Sequence, residues 1–317
     1  MSRLLVTGAL GQIGTELTLM LRQQHGTANV VASDIRPPEG HPLEDGPFAT
    51  VDVTDKDALS RVVQEHQLDG IVHLAALLSA TGEARPQLAW HVNVGGLFAV
   101  LEVARENGCG VFTPSSIAAF GPGTPHVDTP QDTVQRPSTI YGISKVTGEL
   151  LCDYYYKRYD VDTRGVRFPG LISYAAPPGG GTTDYAVDIF FHALKHGRFS
   201  CFLQEDTRLD MMYMPDALKA VRMLLAADPT RLVHRNASNI TAMSFTPAEL
   251  AAEIKQHLPS FEIIYEPEPT RQKIADSWPD CMDDSAAREE WDWSPDYDLP
   301  AMVADMLEKV DERLSKS

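Results

Sequence analysis

Residues 7–14 read TGALGQIG, directly after the apolar run Leu4, Leu5 and Val6. Gly8, Gly11 and Gly14 recur at every third position between that run and an amphipathic stretch over 12–25 that Gly26 ends. A strand that passes at once into a helix through glycines is a narrow structural instruction. The turn is tight, and a backbone without side chains can approach an anionic group closely. The helix that follows offers unpaired N–H groups and the positive end of its dipole. The chain is therefore expected to open on a pyrophosphate-binding strand–turn–helix unit, with Gly8, Gly11, Gln12, Ile13 and Gly14 lining the anion. Asp34, followed by Ile35, closes the next apolar run over 29–33. A carboxylate there suits the hydroxyls of an adenosine ribose and repels the extra phosphate of NADP, so NAD is the expected cofactor.

The alternation continues. Strands are expected over 48–53, 71–75, 111–113 and 163–168, and helices over 55–66 (with Thr54 as N-cap), 86–107 and 141–159. Such a pattern implies an α/β fold, a doubly wound parallel sheet with helices on both faces. Asp52, Val53, Leu74, Ala75 and Ala76 then stand at strand ends, which line the ligand crevice of an open sheet. Asp52 suits either the adenine amino group or a partner for the cap at Thr54, and His73 reads as a packed strand residue. The second half is less regular. Helices are expected over 184–196, 216–227, 247–257 and 299–314, strands over 201–203, 211–214, 232–236 and 261–265, and mostly loop over 266–300. The 317 residues have room for about two domains. Residues 1–170 are expected to form the Rossmann-type domain, with segments near 210–237 and the last helix returning to it. Residues 171–209 and 238–298 would form a smaller α/β substrate domain.

Charge and composition narrow the function. A formal charge of −17 argues against sequence-independent nucleic-acid binding and against anionic membranes. No apolar run approaches the ~20 residues of a membrane span. The N-terminus lacks the pattern of a secretory signal. The four cysteines are scattered and the histidines show no ligand spacing, so reduced thiols, a cytoplasmic setting and no metal are expected.

Tyr141 and Lys145 are one helical turn apart, and Ser115 and Ser116 end the fifth strand upstream. A phenol has an ordinary pKa near ~10 and is a poor base at neutral pH. An ammonium beside it stabilises the phenolate, and a serine hydroxyl can hold the substrate oxygen. Ser116, Tyr141 and Lys145 are the expected catalytic set.

The glycine loop, Ser116 and the Tyr141–Lys145 pair together resemble the extended short-chain dehydrogenase/reductases, the group that includes UDP-galactose epimerase. Within it the chain is most similar to the short-chain-type L-threonine 3-dehydrogenases, through HLAALLSATGE at 73–83, VFTPSS at 111–116, FPGLIS at 168–173, PPGGGTTDYAVD at 177–188 and CFLQEDTRLDMMYMPD at 201–216. The resemblance implies oxidation of L-threonine by NAD to L-2-amino-3-oxobutanoate, without a metal. It places Asp34, Asp52, Val53 and residues 74–76 around NAD. Asn93, Ser115, Tyr141, Lys145, Phe168, Pro169 and Leu171 would lie near the nicotinamide half. Ser79, Ser116, Tyr141, Thr182, Thr183 and Trp278 would surround threonine.

Two departures set the chain apart from the nucleotide-sugar branch. Leu209 stands where those epimerases carry an arginine, with Arg208 one position off, and Pro169 stands where they carry asparagine. A nucleotide-sugar epimerase or dehydratase, and a non-enzymatic NAD-binding scaffold, are the alternatives. A homodimer is expected, because Leu97, Phe98, Leu101, Leu150, Leu151 and Tyr155 give two helices more apolar surface than one sheet face covers. Residues 177–185 are expected to act as a lid that orders when threonine joins NAD.

Overall fold

Apolar runs too short to be helices pair into a parallel sheet, and the amphipathic stretches between them cover it. The computed structural model describes residues 1–175 and 181–316. Its strands are β1 (Leu4–Thr7), β2 (Val30–Asp34), β3 (Phe48–Thr50), β4 (Gly70–His73), β5 (Gly110–Phe112), β6 (Ser115–Ser116), β7 (Thr163–Arg164), β8 (Val166–Phe168), β9 (Gly170–Ile172), β10 (Arg198–Cys201), β11 (Leu209–Tyr213), β12 (Ser238–Asn239), β13 (Met243–Phe245) and β14 (Glu262–Tyr265). The main sheet runs β3-β2-β1-β4-β5-β7, all parallel. This is the doubly wound arrangement. The winding reverses between β1 and β4, which opens a crevice at their carboxyl ends. Both strands are buried along their whole length, as strands covered on two faces must be.

Several local expectations change for physical reasons. The helix after β3 spans Lys56–Glu65 and is capped by Asp55, whose carboxylate accepts the Ala58 N–H at 2.9 Å. Thr54 does not cap it: it precedes the cap residue and donates both its N–H (2.9 Å) and its hydroxyl (2.8 Å) to Asp52. The helix from Pro86 comes in three parts: Pro86–Trp90, a π turn at His91–Gly95, and Gly96–Asn107. The strand expected over 163–168 breaks at Gly165 into β7 and β8, which belong to different sheets. No strand forms over 232–236, since a Glu290 carboxylate oxygen accepts the Val233 and His234 N–H groups at 2.8 Å each. β12 forms just beyond and pairs with β8, which also pairs with β6. β10 ends at Cys201 instead of beginning there. The stretch expected to be loop holds two short helices, Pro269–Ala275 and Ser285–Trp291.

β11 joins the two parts of the molecule. It pairs with β9 in parallel and with β13 antiparallel. Its Met212 enters a core with β1 and the Gln12–His25 helix, while Leu209, Met211 and Tyr213 enter a second core with the Tyr185–His196 and Pro247–His257 helices. The final helix, Leu299–Ser315, packs on those last two helices and not back on the main sheet, burying Met302, Val303, Met306 and Val310 there. Ser285–Trp291 goes the other way, with Ala287 and Trp291 in the core on the sheet side.

Candidate active site

The glycine loop follows β1 and folds back on itself. Gly8 has φ +68°, and a Cβ there would lie 2.7 Å from the Ala75 nitrogen at the end of β4. A Cβ on Gly14 would lie 2.2 Å from the Gly8 carbonyl oxygen. Neither position admits another residue without moving backbone. No side chain caps the Gln12–His25 helix, which begins after Gly11, so its first N–H groups are left for an anion. Asp34 braces the loop by accepting the Leu10 N–H at 3.3 Å, and lies 3.4 Å from the Arg36 guanidinium. Ile35 is exposed beside it, and Val53 is buried. The two hydrogen bonds from Thr54 hold the Asp52 carboxyl below its ordinary range. These residues form an adenosine end and a cradle for a pyrophosphate, which fits NAD.

A cleft of about 170 Å³ opens beyond the loop, at the ends of β4, β6 and β8. It gathers Ser116, Tyr141 and Lys145 with Gln12, Ile13, Leu74, Ala76, Ser115, Phe168, Pro169 and Leu171. Ser79, Thr182, Thr183 and Trp278 line it as well, so all six residues expected around the substrate meet in one place. Ala75 and Asn93 line a small adjoining cavity of about 30 Å³, which also borders Lys145 and Ser115. Asn93 is engaged with backbone, its amide bracketing Leu77 at 2.8 and 3.0 Å. Gly8, Asp34, Ile35, Asp52 and Val53 stand apart, toward the adenosine end. Residues 177–180 of the expected lid lie outside the described residues.

Tyr141 stands in the first turn of the Ile140–Tyr159 helix. Thr139 caps that helix by accepting the Gly142 N–H at 3.0 Å, and Glu83 accepts the Ile140 N–H at 2.7 Å. The Lys145 ammonium lies 5.4 Å from the centre of the Tyr141 ring and donates to the Pro114 carbonyl at 2.8 Å. Ser116 oxygen accepts the Ala118 N–H at 3.2 Å, which leaves its own O–H to donate into the cleft. Ser115 differs from its neighbour: its hydroxyl donates to the buried Glu149 carboxylate. Glu149 also receives both arms of Arg167, at 3.0 and 2.8 Å, and the Gln135 amide at 2.8 Å. Sequence reasoning missed this group, although Glu149 is the third member of a Tyr-x3-Lys-x3-Glu series. His73 is a packed strand residue, as read: it is buried against the Thr7 hydroxyl at 2.8 Å. Burial, and then the Lys145 charge, push its imidazole down to about 3, so it is neutral. Leu209 is fully buried, and Arg208 turns away to the Ser244 carbonyl (2.9 Å) and Glu249 (2.6 Å).

This arrangement is an NAD cradle that ends at a phenol, an ammonium and a hydroxyl. Residues 4–240 match the NAD dependent epimerase/dehydratase family. The chain belongs to that family. It is an enzyme of the extended short-chain dehydrogenase/reductase type, its cofactor is NAD, and it acts on a small molecule. An L-threonine dehydrogenase from Clostridium difficile is 55% identical, with a TM-score of 0.97 over 99% of this chain and 98% of the other. The holo form of a GalE-like L-threonine dehydrogenase from Cupriavidus necator is 50% identical, with a TM-score of 0.94 over 97% and 99%. An uncharacterized epimerase/dehydratase of Staphylococcus haemolyticus is 53% identical over 314 residues, 99% of both chains. No helix among the described residues is long and apolar enough to cross a membrane.

Proposed function

We propose that this chain oxidises L-threonine at C3 to L-2-amino-3-oxobutanoate, with Tyr141 as the general base. The observation that carries the reading is the charge of the cleft lining. Among the described lining residues Lys145 is the sole cation, and there is no arginine for a sugar diphosphate. An amino acid brings its own ammonium and carboxylate and needs no such clamp. Ser116 donates its O–H to the 3-hydroxyl oxygen and sets that group against the phenol. Tyr141, as phenolate, takes the hydroxyl proton, and Lys145 stabilises that anion electrostatically. NAD supplies the acceptor for the hydride that leaves C3. Ser79, Thr182 and Thr183 offer hydroxyls to the amino-acid end, and Trp278 forms an apolar wall that keeps water out.

The protein also reads as a cytoplasmic homodimer. Of the residues behind that expectation, Phe98 and Leu150 are 48% and 63% exposed on the two helices, and Tyr154 joins them at 51%, while Leu97, Leu101 and Tyr155 are buried within the subunit. Cys109, Cys152 and Cys201 are buried free thiols, as suits a reducing compartment.

NADH absorbance with purified protein, NAD⁺ and a panel of L-threonine, L-serine and UDP-sugars tests the reaction. L-Threonine alone should give sustained turnover, and conversion of a UDP-sugar without net NADH would overturn the assignment. Tyr141→Phe should keep NAD binding and lose turnover by ~10²–10⁴-fold. Retention of a tenth of the parental rate removes Tyr141 as the base.

A further inference from the structure

The catalytic lysine has a carboxylate close by that it does not bind. Glu149 is four residues after Lys145 on the same helix, the spacing at which side chains of opposite charge meet. The two border one cavity of about 30 Å³. Lys145 nonetheless makes no ion pair within 4.0 Å among the described residues, and its ammonium goes to the Pro114 carbonyl at 2.8 Å. The reason lies across the sheet. Arg167 on β8 takes both oxygens of Glu149, at 3.0 and 2.8 Å, and Ser115 and Gln135 take the remaining lone pairs. Glu149 and Arg167 are both buried, and the guanidinium is fixed further by the Gln131 carbonyl (2.9 Å), Asn239 (3.0 Å) and the face of Phe120.

We infer that Arg167 is a positioning residue that keeps the Lys145 ammonium free for Tyr141 by occupying the carboxylate one helical turn away. A buried carboxylate stripped of its partner takes the nearest cation, because an uncompensated buried charge is costly. Here Lys145 is a cation one helical turn away on the same cavity. Capture by Glu149 would draw the ammonium from the cleft and leave the phenolate without its counter-charge. The other titratable groups around Lys145 do not compete. His73 from β4 is neutral, and burial raises the Cys152 thiol, which stays protonated.

The inference rests on Tyr141 as the base, but its test needs no substrate. Tyr141 ionisation is read as phenolate absorbance of the NAD-bound protein minus that of the matching Tyr141→Phe variant. In Arg167→Gln the ionisation midpoint should rise by about one pH unit or more. In the double variant Glu149→Gln/Arg167→Gln, which removes the competing carboxylate, it should return to the parental value. An unmoved midpoint in the single variant, or an equal rise in both, overturns the inference. If Arg167→Gln does not fold, Arg167→Met, which keeps most of the side chain and removes its charge, supplies the reading: a raised midpoint supports the role and a parental one overturns it. Inactivity of the parent toward L-threonine would sink the substrate assignment and leave this titration untouched.

Discussion

The two walls of the cleft are made differently. The cofactor wall is built from strand ends and one glycine turn, so backbone defines it: Gly8 against Ala75, Gly14 against Gly8, Lys145 on the Pro114 carbonyl. The substrate wall is built from side chains scattered over about two hundred positions, with Ser79, Thr182, Thr183 and Trp278 on three local segments. The first wall places chemistry and tolerates little change. The second, on the proposed function, selects the substrate and can be altered residue by residue. Two buried groups carry large and opposite shifts. Burial pushes His73 on β4 down to about 3, and burial pushes the Asp210 carboxyl on β11 up to about 8. Asp210 accepts the Thr241 hydroxyl at 2.6 Å and the Met282 N–H at 2.7 Å, and so ties the segment after Trp278 to β11.

The largest effect should come from the backbone wall. Gly8→Val places a branched side chain at φ +68° against Ala75, and NAD affinity by calorimetry should fall beyond detection. Binding within tenfold of the parent would mean that the loop is not the cradle. A smaller effect is expected opposite: Thr183→Ala and Trp278→Ala should each raise KM for L-threonine by about tenfold, roughly the 1.4 kcal/mol of one lost contact. NAD affinity should stay the same, and a KM unchanged in both variants breaks the distinction between the walls. Cofactor choice lies between these cases. NAD should be preferred over NADP, and Asp34→Ala should narrow the ratio of kcat/KM values. Equal use of both cofactors by the parent removes that role from Asp34.

The smallest effect is a difference in pH response. Asp210 titrates near ~3.9 when unfolded, so between there and about 8 the folded chain holds a proton the unfolded chain has released. Stability from this group therefore falls as pH rises through that window. His73 has the opposite sense. Its unfolded imidazole gains a proton below ~6.5 that the folded one refuses until about 3, so stability falls as pH drops. Asp210→Asn keeps an oxygen for the Met282 N–H and turns its amide NH2 to the Thr241 hydroxyl, which can accept, and should raise Tm near pH 8 by about 2 °C or more, with little change at pH 5. An equal shift at both values would show that the tie, and not its titration, matters.

The same division explains what could be read without coordinates. The glycine turn, the doubly wound sheet and the Tyr141–Lys145 spacing are local instructions, written within a few residues of where they act. What escaped reading was decided by distant competitors. Glu290, 57 and 56 positions on, takes the Val233 and His234 amides that a strand over 232–236 would have used. Glu149 was visible as a helical repeat, but its partner Arg167 lies on β8, 18 positions on. The last helix has an apolar stripe that suits either core, and only packing assigns it to the helices around β11.

β11 sets a constraint of its own on how such chains diversify. Its side chains alternate between the two cores, with Leu209, Met211 and Tyr213 on one side and Met212 on the other. One residue gained or lost within it would present every side chain to the wrong neighbour. Insertions and deletions in descendants of this chain are thus confined to the flanking loops, while this segment keeps its length as a reading frame shared by both halves.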